Sequence, residues 1–285
     1  MIANAPTLAA ETRAIMKKGS KTFSFAALLF DRECREGAQL LYTWCRACDD
    51  AVDNEPNPER ALAKLTELRE KTKRAFEGIP SNDLTFEAFS LLNRKHGIEE
   101  NHAQALLDGM QMDVEGARIR DDETLDLYCY RVAGVVGLMM SKIMGVNDAR
   151  AVQHAIDTGK AMQLTNIARD ILEDRERNRN YIPDSWNSQS DREAARILVE
   201  RAEELYRSGQ AGLRYLPLRA ALAVGCAQVI YRAIGREVVK RKERAWDTRT
   251  VISLPKKILL AVSTLVVILA ARGIMKSRLR LRIVS

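Results

Sequence analysis

Apolar residues recur along this chain at intervals of three and four, and nowhere at a sustained interval of two. That period predicts helices with one buried face, and no strands. It places helices near 33–53, 58–76, 82–95, 100–114, 122–144, 148–176, 190–208, 217–244 and 255–272. Pro6, Pro56, Pro58, Pro80, Pro183, Pro217 and Pro255 fall at or outside the ends of these segments, where a residue without an N–H does least harm. "NPER" from Asn57 reads as an N-cap followed by proline in the first turn, and "SDRE" from Ser190 as a capping box. No repeat, low-complexity linker or break in composition divides the chain. The expectation is one all-α domain over 1–285, with a basic C-terminal tail from about 272.

Two helix faces carry polar groups that packing does not require. In "QLTNIARDILEDRERNRNYIP", residues 163–183, Gln163, Asn166, Asp170 and Asp174 recur at three or four. At about 100° per residue they share a wedge of about 80°, while Leu164, Ala168, Ile171 and Leu172 point elsewhere. In "LLYTWCRACDDAVDNE", residues 40–55, Asp49 and Asp53 stand one turn apart, and Tyr42 and Arg46 follow the same face. Like charges at that spacing repel, by roughly a few tenths of a kcal/mol on an exposed helix and more when buried. A divalent cation reconciles them. Mg²⁺ takes one or two carboxylates per site and completes its shell with water and phosphate. Two such stripes facing each other across a bundle could hold Mg²⁺ around a diphosphate, with Lys21, Arg46 and Arg169 on the phosphate oxygens. The plainer reading of either stripe alone is a solvated acidic face, since D-x-x-x-D also arises by chance.

A third segment, "YCYRVAGVVGLMMSKIMG" (128–145), puts Tyr128, Val132, Val135 and Met139 on one line and Ala133, Gly137 and Ser141 on another. It reads either as ordinary core packing, with small residues admitting a neighbouring helix, or as a smooth wall for a long hydrocarbon with Tyr128 near a developing charge.

Composition narrows the field. Hydrophobic residues make up 46% and charged residues 29%, which excludes a disordered chain. Five cysteines without framework spacing point to a reducing compartment, and no apolar stretch follows a basic start, so no signal peptide is expected. The Cys45–Cys48 pair has no second pair, and His96, His102 and His154 lack ligand spacing. No phosphate loop, nucleophile elbow or dinucleotide fingerprint occurs. The net charge of +7 is uneven: from Gly235 onward thirteen Lys/Arg face three Asp/Glu. A basic tail on a slightly acidic body suits an anionic surface, membrane or nucleic acid. The uncharged run 258–271 is short of the about 20 residues that span a bilayer. It reads as a buried core helix, or as a helix lying at a membrane surface beside Lys256, Lys257, Arg272, Lys276, Arg278, Arg280 and Arg282.

These segments resemble a known family. "YCYRVAGVVG" and "GKAMQLTNIARDILEDRERNRNYIP" are similar to the two signature segments of the squalene/phytoene synthase family. "GSKTFSFA" and "YTWCRACDDAVD" resemble its first substrate helix and first aspartate-rich motif, and "AWDTRTVISLPKK" its C-terminal basic segment, so the likeness runs from 19 to 257. It implies an all-α isoprenoid synthase bundle with a central cavity. It implies head-to-head condensation of two geranylgeranyl diphosphates to phytoene through prephytoene diphosphate, the first committed step of carotenoid biosynthesis. The implied cofactor is Mg²⁺, or Mn²⁺ in its place, with no NADPH, since the product forms by proton loss.

Carried over position by position, Asp49 and Asp53 match the first metal motif, and Asn166, Asp170 and Asp174 the second. Ser20, Lys21, Tyr42, Arg46, Gln163, Asn166, Arg169, Tyr231 and Arg249 match substrate-binding positions. Tyr128 matches a tyrosine that assists proton removal or steadies the cation. Gly19 stands where some relatives have histidine, and Thr158 replaces an aliphatic residue. The implied partners are the two C20 diphosphates, an anionic membrane surface and other isoprenoid or carotenoid enzymes, with no nucleic acid. The implied location is cytoplasmic, on the inner face of the plasma membrane. A C15-using dehydrosqualene or squalene synthase is the alternative within the family, separated by cavity depth. A basic helical module binding nucleic acid or membrane is the alternative from another class, and it leaves the carboxylate stripes unexplained.

Overall fold

The structure, a computed structural model, describes residues 5–53, 55–146, 148–186 and 190–273. The described residues form α-helices joined by short turns, without a strand among them. In chain order these are α1 (Ala5–Gly19), α2 (Lys21–Ala27), α3 (Arg32–Asp53), α4 (Pro58–Phe76), α5 (Leu84–His96), α6 (Glu100–Val114), α7 (Asp122–Cys129), α8 (Val135–Ile143), α9 (Ala149–Glu176), α10 (Asp191–Gly212), α11 (Leu218–Arg241) and α12 (Leu254–Ala271). Short polar side chains start them as the sequence predicts. Asn57 accepts from the Arg60 N–H at 3.0 Å, and Ser190 from the Glu193 N–H at 3.3 Å.

The pattern missed α1 and α2. Only Leu8, Thr12 and Met16 are buried along α1 among its described side chains, and α2 has seven residues, too few to show a period. The predicted 122–144 helix is broken by a π turn at Tyr130–Gly134 between α7 and α8. The predicted 217–244 helix stops at Arg241, where Lys242 takes φ 54° and a 3₁₀ turn follows.

Two apolar layers enclose a space between them. In one, α3, α5, α6 and α8 pack around Trp44, which stacks on Phe89 at 4.3 Å and donates its indole N–H to Thr72. In the other, α9, α10 and α11 pack around the buried Tyr206. The layers meet where α8 crosses α9 almost backbone to backbone. A Cβ on Gly137 would lie 2.2 Å from the Ala155 carbonyl oxygen, and one on Gly159 2.2 Å from that of Ala133. The small-residue line therefore serves a helix crossing, and Ala133, Gly137 and Ser141 also border the enclosed space.

The buried-core reading of 258–271 fails. α12 rests on α11 through Thr264 and Ile268, but Ile258, Leu259, Val262, Val266 and Val267 are exposed. Lys276, Arg278, Arg280 and Arg282 lie outside the described residues.

Candidate active site

A cavity of about 430 Å³ lies between the two layers. Its walls are apolar: Phe23, Ala26 and Ala27 from α2, Val136 and Met140 from α8, Val224 and Ala227 from α11. One end is polar, with Tyr42, Arg46, Asp49, Asp113, Gln163 and Asn166 on the lining. Tyr128 and Val132 also reach it. Val135 and Met139 do not, contrary to the wall predicted from spacing; both are fully buried in the α3–α8 layer. The π turn explains the change. It widens one turn, so positions on either side of it no longer share a face, and Val136 and Met140 line the cavity instead.

The first stripe ends α3. Arg46 donates to Asp49 at 3.3 Å and to Asp50 at 3.1 Å, so Asp50 shares the guanidinium that spacing assigned to the Tyr42–Asp49 face. Asp53 is held by Arg179 at 2.7 Å, with Arg177 at 4.0 Å. Burial, and then the charge of Asp53, push Asp49 up to about 6.

The second stripe lies on α9, which is not regular there: Asp170 has φ −109° and ψ 15°. Arg169 grips the Asp170 carboxylate through two nitrogens, one at 2.8 Å, and Arg249 reaches it at 2.9 Å and Glu173 at 2.8 Å. Burial, and then Asp170 and Glu173, push Asp174 up to about 7. The Asn166 amide donates weakly to Gln163 at 3.4 Å, while its own side-chain oxygen is sealed from solvent and accepts from no described residue. Leu172 is exposed, whereas Leu164, Ala168 and Ile171 are buried as the apolar face requires.

The remaining predicted residues sit close by in different roles. Tyr231 stacks on Phe23 at 5.6 Å, and its burial pushes the phenol up to about 12. Ser20 caps α2, accepting from the Phe23 N–H at 3.1 Å, and Lys21 is exposed in the next position. Neither is on the cavity lining. Gly19 is explained by Tyr42, whose hydroxyl would lie 2.2 Å from a Cβ there. Thr158 is explained by Gln228, which donates to its hydroxyl at 2.9 Å.

Sequence reasoning missed a buried centre. Asp113 on α6 accepts from Tyr181 at 2.7 Å and from Tyr128 at 3.2 Å. Arg179, already on Asp53, lies close enough to lower the Asp113 carboxyl, but burial outweighs it and pushes the group up to about 6. The available signal was that Leu106, Met110 and Asp113 recur at i, i+4 and i+7, which puts a carboxylate on an apolar stripe.

Among the described residues no three metal-binding side chains already stand together; arginines occupy the carboxylates instead. The donor set nonetheless fits a hard divalent cation. It offers carboxylates raised by burial and mutual repulsion, and beside them a sealed amide oxygen without a donor.

An all-α fold enclosing an apolar cavity, with acids and arginines at one end, defines a class of protein that holds a long hydrocarbon by its charged head. Residues 16–256 match the squalene/phytoene synthase family, and the chain belongs to it. It is 42% identical to the 15-cis-phytoene synthase of Enterobacter agglomerans, across 87% of this chain and 92% of that one. It is 39% identical to the 15-cis-phytoene synthase of Pantoea ananas, across 91% and 92%. Among solved structures, a dehydrosqualene synthase in complex with ligand superposes with a TM-score of 0.84 at 26% identity, covering 95% of this chain and 98% of the other. The squalene synthase of Alicyclobacillus acidocaldarius, at 22% identity and TM-score 0.74 over 82% of this chain and 94% of that one, shares the fold.

Proposed function

We propose that the protein is a phytoene synthase, a prenyltransferase that joins two geranylgeranyl diphosphates head to head and releases two diphosphates and two protons. The observation that carries this is the cavity itself: mostly apolar along its length, with Asp49, Asn166 and Arg46 at one end. The choice of C20 over C15 rests on the relatives at 39–42% identity, which are named phytoene synthases.

Asp49 and Asp53 from α3, with Asn166, Asp170 and Asp174 from α9, are the residues that would hold Mg²⁺. Bound there, the metal would neutralise the diphosphate as it leaves, the charge that develops most in the transition state. Arg46, Arg169 and Arg249 are held by carboxylates in this structure. With substrate present they can turn to phosphate oxygens, which accept the same forked hydrogen bonds. Phe23, Val136 and Met140 keep water from the allylic cation. Burial holds the Tyr128 phenol well above its ordinary range, so it stays protonated and donates to Asp113 from the cavity lining. A neutral phenol there can steady the cation by its dipole, with Asp113 as the carboxylate behind it. The substrate and product are lipids, and the C-terminal region is basic, so the location that fits is the anionic inner face of the plasma membrane.

Incubation with labelled C15 and C20 diphosphates, with and without Mg²⁺, tests the function by product mass. A C40 hydrocarbon from the C20 substrate, dependent on Mg²⁺, is expected. A C30 hydrocarbon made preferentially from the C15 substrate would move the protein to the dehydrosqualene or squalene branch.

A further inference from the structure

We propose that the outer face of α12 is a lipid-contacting surface, by which the protein lies in the headgroup region of an anionic bilayer without spanning it. The inference deepens the membrane location proposed above and rests on it.

Leu259, Val262 and Val266 follow one another at i, i+3 and i+7 and are 65%, 52% and 47% exposed. They lie on the side opposite Thr264 and Ile268, which face Gly225 of α11. Ile258, Leu265 and Val267 widen the strip, and Leu254 opens it, 61% exposed. A continuous apolar strip of this kind is costly in water and marks a surface that meets something apolar.

The helix is fastened along the body. Near its first turn Lys257 donates to the Thr22 hydroxyl of α2 at 3.3 Å. Just past its end Arg272 donates to the Leu213 and Leu216 carbonyls at 2.9 and 2.6 Å. Its 18 residues would cover about 27 Å at ~1.5 Å each, so crossing a bilayer would require tearing both ends free. Lying in the interface requires nothing to move.

The charge selects the occupant. After Asp247 the chain has no acidic residue, while Arg249, Lys256, Lys257, Arg272, Lys276, Arg278, Arg280 and Arg282 are basic. Anionic headgroups complement an apolar strip with basic flanks. A second copy of the chain would set like charge against like. The placement also suits a hydrocarbon product. Val224 and Ala227 of α11 line the cavity, while Gly225 between them faces α12, so one helix separates the cavity wall from the proposed lipid surface.

The test is flotation of the full chain with vesicles of phosphatidylglycerol or of phosphatidylcholine, beside a Val262→Asn/Val266→Asn variant whose charge is unchanged. The wild type should float with phosphatidylglycerol. The variant should partition at least about tenfold less, because the apolar burial is lost, with the same melting curve and the same turnover of detergent-dispersed substrate. Equal flotation of the two would show that charge alone binds and would overturn the surface, leaving the location standing. Wild type that floats with neither vesicle would overturn both, and the detergent assay would still report the prenyl chemistry independently. A wild-type dimer in lipid-free buffer that the variant converts to monomer would reassign the face to a second copy. Should the asparagine pair fail to fold, Val262→Trp serves instead: brominated lipid should quench the added indole beyond the emission of Trp44, Trp186 and Trp246, and no added quenching would overturn the surface.

Discussion

The ring of Tyr128 lies on the ring of Tyr181, with centroids 4.6 Å apart and 22° between the planes, and both hydroxyls donate to the Asp113 carboxylate. One acid thereby ties the end of α7, the end of α6 and the loop after α9 together beside the cavity.

That arrangement sets a pH dependence. Burial raises the Asp113 carboxyl from 3.8 to about 6, so the folded protein binds its proton more tightly than the unfolded chain does. The resulting stability is present below about pH 4 and is lost as the pH rises through about 6. Melting temperature in metal-free buffer should therefore fall across that window, and Asp113→Asn should flatten the fall. An unchanged profile in the variant would show that Asp113 is not the titrating group.

The two acids of the second stripe should part company in stability. Asp170 is the counter-charge of Arg169, whose side chain is 12% exposed, and of Arg249. Asp170→Asn should lower apo stability by about 1–3 kcal/mol, because it leaves a half-sealed guanidinium with a neutral partner. Asp174 instead sits against Asp170 and Glu173, with burial as the main cause of its rise to about 7. Asp174→Asn should leave the apo melting temperature unchanged or higher. Spacing alone predicts relief of repulsion in both; the pairing with Arg169 and Arg249 separates them.

Cavity length is open to a direct test on α8. Val136 is on the lining, so Val136→Phe should cost turnover of the C20 substrate more than of the C15 substrate, each measured as kcat/KM. Equal loss on both would make the position structural. Gly137 is the wrong place for this experiment despite its position on the small-residue line. Even Gly137→Ala meets the Ala155 carbonyl, and should lower the melting temperature by an amount equivalent to about 1–3 kcal/mol.

Long helices were legible in the sequence because apolar period and N-caps agree, as at Asn57 and Ser190. The clustering of Tyr42, Arg46, Asp49, Tyr128, Gln163 and Asn166 on one cavity was legible from spacing together with the family resemblance. What escaped depends on tertiary placement. A single widened turn re-aimed Val135 and Met139, and no residue type announces a π turn. Asp113 was one acid on an apolar stripe, and its meaning comes from Tyr128 and Tyr181, distant in sequence. The hold of Arg179 on Asp53 and of Arg249 on Asp170 likewise joins segments that no local pattern links. Composition made 258–271 apolar, but only the fold decides which side is covered.

The claim at the centre is that the acids of α3 and α9 serve metal-bound diphosphate, and that Asp174 does so without supporting the fold. It is tested most directly by Mg²⁺-dependent turnover of geranylgeranyl diphosphate by Asp174→Asn beside wild type, with both shown folded by their melting curves. Asp174 suits the test because its loss should not weaken the apo protein. Turnover should fall at least ~100-fold, about 2.7 kcal/mol of barrier. Turnover near the wild-type value, with the same response to Mg²⁺, would contradict the assignment.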